Sequence, residues 1–585
     1  MDAAVGCAAG VGGGLLAGFL AAAGSSHAVP LACLGAILAW TLAAGAWSMG
    51  WRLARRVGLP AHRALALGAL PLLPWLAAWP LLALALLVPL ARAQLLAARA
   101  PVALYLLGWL LAGLAGLALW LHAVGPRKDS HSPLITGSPL AGGSSLGWWV
   151  AAPLLAFAAA SYWNGAVLDP LQFRGFPDYV TQMLGARRLL AGALPYDPGI
   201  RVWTDVNLPP FTLLVLFAPF AVFSEQAGRL AYFVLNHLAF LAGVAVLLRA
   251  ARPPSRWTQT VPWASAVLAL ALAFEPWHDS QRLGQQNGIV FFWLAVFAAA
   301  LLARRDVPAG AALAAALIGK PSSALLGLYL LFARRYRAAA AAAVTGLAAV
   351  VLTLPWTGVE TWRFYLSVKA PQILAGTPQQ SNVALLALHA RLFLPAEALA
   401  SFDAMPDLPV AQALTRVAQL LGAVALWRIV RRRTRSADRL AVHLEVGVAL
   451  VLSLSLVGHA WQSYVTWLIV AFVPLADPRA WAGLRHGVRR WIAAVVVASY
   501  AALAFHDVAL FQVIGTTSRA AAVFASLPNL ALLALAFALA LLLAAYERYG
   551  PYGGGLALAA DRREVGRPPD TLASRQQVDE QARTG

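Results

Sequence analysis

The stretch that decides the fold is residues 284–337, GQQNGIVFFWLAVFAAALLARRDVPAGAALAAALIGKPSSALLGLYLLFARRYR. It holds two apolar runs, at about 288–303 and 308–333, and each run ends at a basic cluster, Arg304–Arg305 and Arg334–Arg337. An apolar run of about 20 residues is long enough to cross a bilayer. The stretch therefore predicts membrane helices with basic ends.

The same pattern extends over the whole chain of 585 residues. The composition is 61% hydrophobic and only 12% charged, whereas a soluble domain carries about 25% charged residues. These values exclude an ordinary soluble enzyme and predict an all-α polytopic membrane protein with roughly 13–16 transmembrane or re-entrant helices. Further apolar runs fall near 3–24, 29–50, 64–90, 101–123, 147–167, 226–248, 260–275, 337–355, 408–427, 441–457, 461–476, 490–506 and 524–546.

Composition also divides the chain into four parts. Residues 1–124 are predicted to form an N-terminal extension of about four transmembrane helices, followed by a polar Gly/Ser/Pro linker at 125–146. Residues 147–550 form the main membrane domain. Residues 551–585 form a polar tail, which is predicted to be disordered.

The net charge of +20 is concentrated in short arginine clusters between the apolar runs. Cytoplasmic loops of membrane proteins are enriched in Lys and Arg, so the clusters indicate topology in preference to nucleic-acid binding. With the clusters inside, three long segments and one turn lie on the outer face: 169–208, 276–287, 356–407 and His459–Ser463.

Two apolar runs are irregular. Residues 209–223 begin with two prolines and are predicted to be re-entrant, and the break at Lys320–Pro321 predicts two short helices in place of one. Non-helical backbone at membrane depth is tolerated where it lines a cavity. Both irregularities therefore point towards a functional site.

Asp178 stands out in the first outer segment. It precedes a stretch, Tyr179–Ala191, whose apolar spacing predicts an amphipathic helix lying on the membrane interface. Asp178 has two interpretations that the pattern does not separate: an N-cap of that helix or a functional carboxylate.

Three other groups are candidates for binding. Lys320 lies within an apolar region, where an ammonium needs an anionic partner such as a phosphate; the alternative is a lysine that extends to the interface. The cluster Gly284–Asn287 caps a helix or binds polar substrate groups. His459, Trp461, Gln462 and Tyr464 suit sugar stacking, but Trp and Tyr are also typical of ordinary interfacial belts.

The order of these motifs resembles glycosyltransferase family 87. An Asp-Tyr pair is followed by LLAGALPYD, a Pro-Pro start, GQQN, the IGKPSS segment and QQSN with an arginine nine residues later. The resemblance extends over roughly residues 147–550. The family includes mannosyltransferases that depend on polyprenol-phosphate-mannose. Gln379 departs from the family pattern, which usually has Asn there.

The resemblance implies a GT-C fold and transfer of a hexose from a polyprenyl-phosphate donor to a lipid or glycan acceptor. It implies a multi-pass protein of a bacterial-type plasma (inner) membrane, with the active site on the periplasmic or extracellular side. Asp178 is then the general base, with inversion at the anomeric carbon. The residues that it implies for substrate binding are Tyr179, Gln285, Asn287, Lys320, Gln380, Ser381, Arg391, His459 and Trp461.

Two other functions remain open: a transporter or flippase of lipid-linked glycan intermediates, and an outer-face glycan polymerase. Whether a divalent metal takes part is also open. Asp169, Asp197 and Asp205 either assist Asp178 in binding a metal or form turns. The convergence of Asp178, Lys320 and Gln285–Asn287 in one outward-facing cavity would favour the transferase. A continuous cavity through the membrane would favour transport.

Overall fold

A computed structural model describes residues 161–172, 176–196, 206–251, 257–400, 405–431, 438–481, 484–504 and 519–549, together with residues 155, 158 and 159. The predicted N-terminal helices at 1–124, the linker at 125–146 and the tail at 551–585 lie outside the described residues, as do Asp197 and Asp205. The described residues make up most of the predicted domain at 147–550.

The described chain is made of α-helices joined by short 3-10 and π-helical segments. In chain order the main helices are α1 Pro177–Leu190, α2 Glu225–Ala250, α3 Trp257–Leu272, α4 Glu275–Leu283, α5 Asn287–Leu302, α6 Asp306–Gly319, α7 Leu325–Phe332, α8 Tyr336–Thr357, α9 Leu385–Arg391, α10 Pro409–Arg431, α11 Arg439–Leu456, α12 His486–Ala504 and α13 Arg519–Tyr549. This confirms the predicted all-α architecture.

Within the described residues, six helices are long and apolar enough to cross a membrane: α2, α8, α10, α11, α12 and most of α13. Shorter apolar helices include α5, α6 and Pro210–Phe220. The latter lies where the double proline predicted a re-entrant segment. The predicted run at 461–476 forms a series of 3-10 and α-helical turns, because Pro474 and the polar residues at its start interrupt regular helix.

Burial separates the centre of the bundle from its lipid-facing rim. α11 is almost entirely buried, whereas α8 and α10 expose most of their apolar side chains. The apolar side chains on α8 and α10 suit contact with lipid tails, which are as apolar as leucine. α11 packs against α13 in the centre, and α5 packs between α2 and α6.

Two of the predicted outer segments contain helices that the sequence did not predict. α4, Glu275–Leu283, begins one residue before 276–287 and lies otherwise within it, and α9 lies within 356–407. α4 is strongly amphipathic, with Trp277 and His278 buried. Both are too short to span a bilayer, so their positions agree with a location at an interface.

The predicted break at Lys320–Pro321 separates α6 from α7. Lys320 is extended, with φ −152° and ψ 120°, because a following proline disfavours helical backbone in the residue before it. At the break, carbonyl oxygens lose their helical hydrogen-bond donors and need others. Side chains from three other elements satisfy them: Thr212 donates to Ile318 (2.5 Å), Gln286 to Gly319 (3.1 Å) and Ser453 to Ser322 (3.1 Å).

The packing of α6 against α8 generates a test. A methyl group at Gly310 would lie 2.1 Å from the carbonyl oxygen of Ala338, and overpacking of this kind costs about 1–3 kcal/mol. We expect Gly310→Ala to lower the Tm of the detergent-purified protein.

Gly327→Ala is the matched control for this test. A methyl group at Gly327 meets no atom of the described residues within 4 Å, and alanine favours helix over glycine by up to about 1 kcal/mol. Its Tm should stay level or rise. The same Tm for both variants would contradict the close approach of α6 to α8.

Candidate active site

α1 fixes the position of Asp178. Phe176 is the N-cap, with a left-handed φ of 38°, and Pro177 is the first helical residue, where its fixed φ suits a helix. Asp178 is therefore inside the first turn, and no side-chain hydrogen bond caps this helix. The N-cap interpretation of Asp178 is wrong, because its carboxylate bonds to a residue 107 positions along the chain.

That residue is Gln285, which the end of α4 brings to Asp178. Gly284 ends α4 with a left-handed φ of 71°, and a methyl group on it would lie 2.8 Å from Cβ of Tyr179. Only glycine allows this turn to approach α1 so closely. The backbone carbonyl of Gln285 accepts a hydrogen bond from the side-chain amide of Asn236 on α2 (2.7 Å).

The side-chain amide of Gln285 is the centre of the site. Its Nε2 donates to Oδ2 of Asp178 (2.5 Å). Its Oε1 accepts from Nζ of Lys320 (2.8 Å), Oγ of Ser463 (2.6 Å) and Nδ2 of Asn287 (3.0 Å). One amide therefore joins the carboxylate of α1 to the ammonium at the helix break.

Lys320 is buried and makes a second contact. Its Nζ lies 3.7 Å from the ring centroid of Tyr464, a cation–π contact. In the part of the chain that the structure describes, no ion pair joins Lys320 directly to Asp178. Two opposite charges thus lie on either side of one neutral amide.

The environment changes the proton affinity of Asp178. Removal from water raises the pKa of its carboxyl above the ordinary value, and the hydrogen bond from Gln285 and the charge of Lys320 offset part of that rise. A carboxylate with a raised pKa accepts a proton more readily than an ordinary aspartate.

The loop that contains the QQSN segment, residues 379–382, closes the other side of the site. The backbone of Ser381 accepts from the amide of Gln462 (2.8 Å), and the amide of Val383 donates to Ala460 (2.7 Å). Asn382 and Trp461 form an isolated antiparallel bridge. The QQSN segment therefore lies against the turn that carries His459, Trp461 and Ser463.

Arg391 holds this loop together. Its guanidinium is buried and donates to the carbonyls of Pro378, Gln379, Gln380, Asn382 and Ala525 and to the side chain of Asn529. All three of its nitrogens are occupied in this way. The structure thus gives Arg391 a role in shaping the loop, where the family pattern implied a substrate contact.

The other predicted residues divide between the site and its surroundings. Tyr179 packs in an aromatic cluster, 4.9 Å from Tyr232 between ring centroids, and Gln380 is buried in the QQSN loop. His459 is buried, and its ring lies perpendicular to that of Trp461 with 4.4 Å between the ring centroids. Burial, and secondly the charge of Lys320, lower the pKa of His459 well below its ordinary value.

Two site residues were missed from the sequence. Asn236 is a buried amide within an apolar span, and its cost in lipid is the signal that could have found it. Ser463 donates a hydrogen bond to Gln285. It lies in a turn whose aromatic residues are a stronger sequence signal for sugar binding than its serine. Neither is near Gln285 in sequence, with separations of 49 and 178 positions.

The helical bundle and this polar cluster define a polytopic membrane protein with a carboxylate and an ammonium at one site. Residues 208–455, somewhat less than half of the chain, match the model of Glycosyltransferase family 87. The match confirms the resemblance of this part of the chain to that family. It includes Gln285, Lys320 and Arg391, whereas Asp178 precedes it.

Among solved structures, the chain is similar to ArnT from Cupriavidus metallidurans in the apo state. The two are 18% identical over 77% of this chain and 79% of ArnT, with a TM-score of 0.28. A comparison with curated proteins finds no significant match.

The contacts of Arg391 generate a prediction. A lysine offers one nitrogen in place of three, so Arg391→Lys leaves several buried carbonyls unpaired at about 1–3 kcal/mol each. We expect Arg391→Lys to lower the Tm of the purified protein clearly, and Arg391→Met to lower it further.

Arg363→Met is the matched control, because Arg363 pairs with Glu360 on an exposed surface, and such pairs contribute about 0–1 kcal/mol. Its Tm should stay near that of the wild type. A residue that only held a substrate phosphate would leave the Tm of the substrate-free protein unchanged, and that result would contradict the structural role of Arg391.

Proposed function

We propose that this protein transfers a hexose, mannose in the first instance, from a polyprenyl-phosphate donor to a lipid or glycan acceptor on the outer face of a plasma (inner) membrane. The observation that carries the proposal is the single amide of Gln285 between Asp178 and Lys320. It brings together the two groups that such a transfer needs, a base for the acceptor and a cation for the leaving phosphate.

Asp178 is the general base. Oδ2 of its carboxylate is bonded to Gln285, and within the described residues Oδ1 has no hydrogen-bond partner. As the acceptor oxygen forms its bond to the anomeric carbon, its proton passes to Oδ1. A positioned base of this kind contributes about 10²–10⁴-fold to the rate.

Lys320 stabilises the leaving group. The bond between the anomeric carbon and the phosphate oxygen breaks, and its electron pair remains on the lipid phosphate. The ammonium of Lys320 faces that charge in a water-poor site, where such stabilisation is most effective. Direct attack with one base and no covalent intermediate inverts the anomeric configuration.

The convergence of Asp178, Lys320, Gln285 and Asn287 supports a transferase over a transporter. The described residues contain no group of three His, Cys, Asp or Glu side chains that could hold a metal. Asp169 pairs with Arg282 at 3.6 Å, and Asp197 and Asp205 lie outside the described residues.

The main test replaces the base. Asp178→Asn keeps the shape of the side chain and removes its proton affinity, so sugar transfer should fall by about 10²–10⁴-fold, with donor binding retained. The assay measures radiolabel passing from polyprenyl-phosphate mannose to a membrane lipid extract by purified protein in liposomes, with glucose and arabinose donors in parallel.

Glu360→Gln is the control for Asp178→Asn, since Glu360 is an exposed carboxylate in a predicted outer segment. It should transfer sugar at the wild-type rate. Wild-type turnover by Asp178→Asn would overturn the assignment of the base.

A second variant tests the cation. A charge-assisted hydrogen bond contributes about 1.5–3 kcal/mol, so Lys320→Met should lower kcat/KM for the donor by about 10- to 100-fold. Lys320→Arg, which restores the charge, should recover part of the loss. Equal kcat/KM in wild type and Lys320→Met would exclude a role for Lys320 at the phosphate.

A further inference from the structure

We propose that Gln285 is a positioning residue that keeps Asp178 and Lys320 apart, so that the carboxylate stays free to take a proton and the ammonium stays free to bind a phosphate. The roles of the two charges rest on the proposed function above. The contacts of Gln285 stand independently of it.

The orientation of the Gln285 amide is fixed by its neighbours. Oε1 accepts from three donors, Lys320, Ser463 and Asn287. Rotation of the amide by 180° would place its NH₂ group against an ammonium and another NH₂ group, which have no acceptor for it. Nε2 is therefore directed to Asp178.

The backbone of Gln285 is held as firmly as its side chain. Its carbonyl accepts from Asn236 of α2, its amide donates to the carbonyl of Ser280 (2.9 Å), and Gly284 before it lies against α1. Hydrogen bonds therefore fix both the backbone of Gln285 and its side-chain amide. A group held at both ends acts as a spacer more readily than as a ligand for a mobile sugar.

The alternative arrangement is a direct ion pair between Asp178 and Lys320. An adjacent cation lowers the pKa of an aspartate by about 1–3 units, which would make Asp178 a weaker base. The same contact would neutralise the ammonium that has to face the donor phosphate. A neutral amide avoids both effects because it gives each charge a hydrogen bond and no opposite charge.

The charged and titratable groups that face Asp178 are few. Lys320 lies at the junction of α6 and α7, and Tyr232 on α2 and Tyr464 in the Gln462–Leu468 turn are close enough to interact with its charge. Lys320 is the cation that the Gln285 amide separates from the carboxylate. A decrease in the pKa of Asp178 in a Gln285 variant therefore reports that Lys320 lies closer to the carboxylate.

The experiment measures the protonation of Asp178 without substrate. Dicyclohexylcarbodiimide modifies protonated carboxyl groups, so labelling of Asp178, followed by peptide mass spectrometry on the full chain in liposomes, declines as the pH rises through its pKa. Gln285→Met has a similar length and no polar atoms. In this variant Lys320 should move onto Asp178 and shift the labelling midpoint down by about 1 pH unit or more.

The direction of that shift decides the question. Loss of the Gln285 hydrogen bond alone would raise the pKa of Asp178, since that bond favours the carboxylate. A downward shift therefore requires a closer cation. The double variant Gln285→Met, Lys320→Met should bring the midpoint back to the wild-type value or above it.

Gln419→Met is the control. Gln419 is a partly buried amide on α10 that donates to the carbonyl of Leu456 at the end of α11 (2.6 Å), so the labelling midpoint of Asp178 in this variant should equal that of the wild type. An unchanged or raised midpoint in Gln285→Met would overturn the spacer role. That outcome would leave the proposed function intact, because the function is tested separately by sugar transfer in the wild type and the assignment of the base by Asp178→Asn.

Discussion

The helix break before Pro321 is the constraint on which the site depends. In lipid, each backbone carbonyl released by a break must find a donor within the protein. Here the donors are Thr212, Gln286 and Ser453, which come from three different elements. Satisfying the backbone therefore requires these elements to meet at the break. Their meeting point is where Gln285 contacts Lys320 and Asp178.

The same constraint accounts for the separation of the two charges. An isolated charge is costly in an apolar bundle, and a buried ion pair is only weakly stabilising because both partners lose their hydration. A neutral amide gives each charge one hydrogen bond and keeps them as separate groups. The arrangement forgoes the attraction of a direct ion pair and leaves the two groups separate, as the proposed roles of a base and a phosphate-binding cation require.

The sequence predicted the scaffold better than the contacts. Apolar runs gave α2, α8, α10 and α11 to within a few residues, because bilayer thickness fixes helix length, and the proline at 321 gave the break. Asp178 remained ambiguous, since a carboxylate at a helix start suits a cap and a base equally well. The structure decides against the cap with a contact 107 positions away, which no local pattern encodes.

Arg391 illustrates a different limit of sequence reasoning. The family resemblance implied that Arg391 binds substrate, but its three nitrogens hold five carbonyls and one amide side chain of the protein. Those contacts fold the QQSN loop against the turn that supplies Ser463, and Ser463 in turn donates to Gln285. The effect of Arg391 on the chemistry is therefore indirect: it fixes the loop that completes the environment of the amide. Arg391 thus connects the QQSN loop to Gln285 through the turn that carries Ser463.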